Sequence, residues 1–116
     1  MIQEFRRARR RKALDTILVT DTMTERVLGR VGNLSETGML LIASQPLVED
    51  ALYQIRFTLS DEAAEERAID VGAHLLWLEH ANAPGRAWAG FRFIAKTDGD
   101  AERLRAWIDA PGSQYE

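Results

Sequence analysis

The sequence predicts a mostly β domain: a small six-stranded antiparallel β-barrel with a C-terminal α-helix and a flexible basic N-terminal arm. Three observations carry this. Between residues 15 and 95, six segments rich in apolar and β-branched types follow one another, mostly across short turn signals. Only the last stretch of the chain shows apolar residues at helical spacing. The length of 116 residues is enough for one core, and closing a sheet of that size on itself removes its exposed edges.

The elements follow in order. Residues 15–21 (DTILVTD) are rich in β-branched side chains, and residues 25–32 (ERVLGRVG) set Val27, Gly29 and Val31 on one face. Asp21-Thr22-Met23-Thr24 is the hairpin turn between them. Residues 37–43 (TGMLLIA) form a third, nearly all-apolar strand. Residues 51–59 alternate, with Tyr53, Ile55, Phe57 and Leu59 facing one way. Residues 60–67 (SDEAAEER) are a solvated loop or at most one helical turn. Residues 68–80 place Ile69, Val71, Ala73, Leu75 and Trp77 on one side. The turn Ala81–Gly85 leads into a return strand at 87–95 (AWAGFRFIA), because proline presets φ and glycine accepts a positive one. Asp98 or Asp100 then N-caps a helix reaching about Ala110. Leu104, Trp107 and Ile108 form its apolar stripe, and Pro111-Gly112 stops it. Residues 1–12 are the arm, 13–112 the barrel with its helix, and 113–116 a tail expected to fray.

Composition narrows the function classes. Hydrophobic residues make up 46% of the chain, yet no apolar run approaches the roughly 20 residues that span a bilayer. The start turns basic without the apolar stretch of a secretory signal, so a cytoplasmic location is expected. No cysteine is present, which excludes disulfides and thiolate metal sites. The net charge of −3 conceals an asymmetry. Arg6, Arg7, Arg9, Arg10, Arg11 and Lys12 stand against Glu4 alone, so the first twelve residues carry +5 and the remainder −8. A basic arm on an acidic body points to an anionic ligand for the arm: phosphate, nucleic acid or a membrane surface.

Two segments carry candidate chemistry. The first is the arginine run RRARRRK at 6–12. Arginine grips phosphate with a planar fork of donors, and its flat face stacks on aromatic bases. Four-residue spacing brings two forks to one ligand, and both Arg6/Arg10 and Arg7/Arg11 satisfy it. A disordered polybasic tail has the same charge pattern. The second is Asn33-Leu34-Ser35-Glu36-Thr37-Gly38, which offers short hydrogen-bonding groups beside a glycine that permits a tight turn or close approach. On composition alone it is a polar turn.

Together, in this order and about twenty residues apart, the two segments resemble the hallmark of the PilZ domain family, RxxxR followed by [D/N]xSxxG. Arg7-Ala8-Arg9-Arg10-Arg11 fits the first motif, and Asn33–Gly38 fits the second at every defined position. The resemblance covers nearly the whole chain, including the Ala89-Gly90-Phe91-Arg92-Phe93 strand and the terminal helix. It implies a small barrel that binds cyclic di-GMP, a bacterial second messenger. Arg7 and Arg11 would grip phosphates and stack on guanine, Asn33 and Ser35 would hydrogen-bond the ligand, and Gly38 would hold the turn. Arg6/Arg10 remains the alternative register. The preference for Arg7/Arg11 rests on the family's habit of placing another arginine just before the first motif arginine. Glu36 is expected to face solvent.

The expected function is a cyclic di-GMP receptor and adaptor whose arm changes order on binding and which signals through a protein partner. The alternative is a degenerate PilZ-like interaction module without the ligand. No enzyme, cofactor, metal, nucleic acid or membrane insertion is expected, and the oligomeric state stays open. His74 and His80 would lie about 20 Å apart along one strand, too far to share a metal. No nucleophile elbow or GxxxxGK[ST] loop accompanies Ser35. Trp77, Trp88 and Trp107 are expected in the core or capping the barrel, with Trp77 or Trp88 the candidates for a partner surface.

Overall fold

Strand alternation decides where the core lies. In the computed structural model, which describes residues 8–81 and 83–116, Ile55, Phe57 and Leu59 of β5 (Leu52–Ser60) point inward while their neighbours stay exposed. The chain builds β1 (Arg11–Lys12), β2 (Leu18–Asp21), β3 (Arg26–Leu34), β4 (Gly38–Ala43), β5, β6 (Glu66–His80), β7 (Ala87–Lys96) and α1 (Asp98–Asp109). The order β3-β2-β5-β6-β7-β4, together with pairing of β3 to β4, closes a six-stranded barrel. Every pairing in it is antiparallel. The two-residue β1 pairs with the far end of the β3 edge that β2 uses, opposing Leu34 and Asn33. The tip of the β5–β6 hairpin is a turn organised by Asp61, whose carboxylate accepts from the amides of Ala63 and Glu65.

Three bulges correct the strand faces read from simple alternation. Val19 pairs with Gly29 but Thr20 pairs with Val27, so Leu28 is an extra residue on β3. Leu28 therefore joins Val31 in the core, and Val27, expected on the same face as Val31, is exposed. A second bulge places Gly32 between the paired residues Val31 and Asn33. The third lies in β6, where Leu75 pairs with Phe91 and Trp77 with Gly90, leaving Leu76 over. Trp77, expected inside with Leu75, turns out to 43% exposure, while Leu78 packs against the core in its place. The Trp77 indole covers Gly90, where a Cβ would stand 2.1 Å from Nε1.

The helix closes the barrel against β5 and β6 with Leu104 and Ile108, both buried. Fully burying two such side chains is worth about 1.5–3 kcal/mol each. Trp107, the third member of the expected stripe, is only half-buried. The N-cap is Thr97 rather than an aspartate: its hydroxyl accepts from the Asp100 amide at 3.1 Å. Asp100 is freed for another role. Its Oδ2 accepts from the Asp70 amide of β6 at 3.1 Å, and its Oδ1 accepts from Arg103 at 2.9 Å, so it ties the first helical turn to the barrel wall. Ala110 turns extended before Pro111 and ends the helix.

The last four residues, expected to fray, are hydrogen-bonded. The Lys12 amide donates to the Gln114 carbonyl at 2.8 Å, and the Glu116 amide donates to the Arg10 carbonyl at 3.0 Å. Arg11 and Tyr115 form an antiparallel bridge between these two bonds. The tail finds a partner because the end of the arm, already paired to β3, offers it an unpaired edge.

Candidate ligand-binding site

The site lies where the end of the arm meets the β3–β4 turn. Ser35 builds that turn. Its hydroxyl accepts from the amides of Thr37 at 3.2 Å and Gly38 at 3.1 Å, and its own amide donates to the Gly38 carbonyl at 2.9 Å. Ser35 is fully buried, so its hydroxyl braces the loop from within. Gly38 is required by close packing of β4 on β7: a Cβ there would stand 2.4 Å from the Phe91 carbonyl oxygen. Glu36 projects from the turn and accepts from Arg105 of α1 at 3.0 Å, an exposed pair linking the loop to the helix.

Asn33 is brought to this turn by the Gly32 bulge. Asn33 and Leu34 are both buried, but on opposite sides of β3: Leu34 enters the core and Asn33 lies beneath the arm. The Asn33 side-chain oxygen accepts from Arg10 Nη1 at 2.9 Å, and its amide nitrogen donates to Glu116 Oε1 at 3.1 Å. The Arg10 guanidinium also overhangs Gly38, with Nη2 3.7 Å from where a Cβ would be. Arg10, Asn33 and Gly38 are thus adjacent.

Arg9 and Arg11 point elsewhere, because side chains alternate along a strand. Arg11 stacks over the Trp107 ring, 4.0 Å from its centroid, and donates to the Trp107 carbonyl. Arg9 pairs with Asp109 and lies 4.7 Å over the Tyr115 ring. The cause is electrostatic. The last turn of α1 contains no basic residue, and a helix C-terminus with open carbonyls attracts cations. Arg9 and Arg11 supply the missing charge, and the Tyr115 hydroxyl donates to the Ile108 carbonyl in the same turn. Of the expected pairs, Arg10 is beside Asn33 and Gly38, Arg11 is on the helix, and Arg6 and Arg7 lie outside the described residues.

Glu116 and Tyr115 escaped the sequence reading, since a short polar tail beyond Pro111-Gly112 has no periodicity to mark it. Among the described residues, no group of three or more His, Cys, Asp or Glu is placed to hold a metal. His74 instead meets Asp50 at 2.6 Å. No described helix is long and apolar enough to cross a membrane.

The arm over the Asn33–Gly38 turn, on a barrel of this topology, has a family counterpart. The PilZ domain model matches residues 4–110. The chain belongs to the PilZ domain family. PilZ domains are non-enzymatic, so the domain is not an enzyme. Solved structures that share the fold include these three. The inhibitor of motility MotI/DgrA of Bacillus subtilis superposes with a TM-score of 0.71 at 16% identity, over 90% of this chain and 49% of that one. The present chain therefore spans about half the length of that protein. The PilZ domain of YcgR from Escherichia coli, solved with c-di-GMP, superposes with a TM-score of 0.65 at 19% identity, over 88% of this chain and 87% of that one. YcgR from the same organism in complex with c-di-GMP gives 0.67 at 20% identity, over 87% and 43%. No curated protein matches the chain.

Proposed function

We propose that this PilZ domain is a cyclic di-GMP receptor that acts through a protein partner, with Arg10, Asn33 and Gly38 at the centre of its site. The contact of Arg10 with Asn33 above Gly38 carries the reading, because it joins the basic arm to the turn motif in one place. A guanidinium fork suits a phosphodiester, and the Asn33 carboxamide offers both a donor and an acceptor to a guanine or a phosphate. Arg10 belongs to the Arg6/Arg10 register, which we adopt over Arg7/Arg11. Ser35 serves the ligand by holding the turn in shape. Trp77 and Trp88, 43% and 40% exposed on β6 and β7, are candidates for the partner surface.

Calorimetric titration with cyclic di-GMP tests the receptor reading. Saturable binding is expected in the wild type, reduced at least about tenfold in Arg10→Ala, as for loss of a charge-assisted hydrogen bond. Absence of binding in the wild type at low salt sinks it, and leaves the interaction-module reading that the exposed tryptophans favour.

A further inference from the structure

The tail segment Gln114–Glu116 lies against the proposed site. Glu116 places its carboxylate on the Asn33 amide nitrogen at 3.1 Å, next to the Arg10–Asn33 contact. Two backbone bonds hold the tail against the arm, Lys12 to Gln114 and Glu116 to Arg10. Arg9 and Arg11 are meanwhile engaged with the Asp109 carboxylate and the Trp107 carbonyl. Donors suited to an anionic ligand are thus engaged by oxygen acceptors of the chain itself.

We propose that this tail is an internal competitor, a latch that cyclic di-GMP must displace, with Glu116 in the place of a ligand acceptor oxygen. The proposal rests on the receptor reading and adds regulation to it. The chemistry selects what can open the latch. The group that replaces the carboxylate on the Asn33 nitrogen must accept a hydrogen bond, as a phosphate oxygen or a base carbonyl does and a donor group does not. Displacing a paired segment lowers the apparent affinity by the fraction of molecules in which the tail is docked. Release of the tail also removes the backbone partner of Arg10 and the hydroxyl cap on Ile108, so ligand entry loosens the end of α1.

The test compares cyclic di-GMP titrations of the wild type, Glu116→Gln, Glu116→Ala and a chain ending at Gly112. Glu116→Gln keeps an acceptor of similar shape and removes the charge. Affinity is expected to rise about tenfold in Glu116→Ala and in the shortened chain, and less in Glu116→Gln. Amide exchange supplies a second measurement: adding the ligand to the wild type should speed exchange at the Lys12 and Glu116 amides. Wild-type binding that needs Arg10 but is unchanged by Glu116→Ala and by shortening, with exchange unaltered, overturns the latch and leaves the receptor standing. Absence of binding in every variant overturns both.

Discussion

Arg10 and Arg11 are chain neighbours with opposite assignments: Arg10 donates to the Asn33 side chain, and Arg11 stacks on Trp107 at the end of α1. Their separation follows from strand alternation and predicts a division of labour. Arg10→Ala should weaken cyclic di-GMP binding at least about tenfold with a small change in melting temperature. Arg11→Ala should do the reverse, lowering stability by about 0.5–2 kcal/mol through loss of the cation–π and helix-end contacts. Parallel titration and thermal melts of the two variants check this; equal loss of binding in both would remove the assignment.

This alternation also explains what the sequence could and could not reveal. The strand segments, the terminal helix and the Asn33–Gly38 turn are written locally, in apolar periodicity and turn residues, and all are present in the fold. Five arginines within residues 6–11 satisfy two registers equally, because their spacing carries no phase. The phase is set by partners distant in the chain: Asn33 on β3 and the base-free last turn of α1. The bulges were hidden for a related reason. An extra residue at Leu28 or Leu76 is apolar like its neighbours, and only the cross-strand register reveals it.

Gly38→Ala should destabilise the barrel, since its methyl would meet a backbone oxygen, Phe91 O, at 2.4 Å. The loss expected is about 1–3 kcal/mol, the range for overpacking. Urea denaturation followed by tryptophan fluorescence reads it, and an unchanged midpoint would contradict the packing described.

Gly90→Ala has a milder expected outcome. The obstructing group is the Trp77 indole, a half-exposed side chain that can swing aside. Stability should fall by about 1 kcal/mol, while Trp77 emission shifts to longer wavelength as the ring leaves the sheet. Trp77→Phe, carrying the same glycine change, should lack that shift.

Asp100→Asn tests the tie between α1 and β6. It keeps one acceptor but removes the charge that faces Arg103 and the β6 amide. A loss of about 1–2 kcal/mol is expected, and Asp100→Ala should exceed it, measured by chemical denaturation.

The antiparallel contact of Arg10 with Glu116 has a mechanical meaning for any longer polypeptide. Their backbones are joined by one hydrogen bond of 3.0 Å, so the chain at Arg10 and the chain at Glu116 meet at a single spot on the barrel, beside the proposed ligand site. A molecule that prises those two strands apart therefore alters the spacing and direction of both segments at once. Flanking domains tethered there would be reoriented by the ligand without touching it.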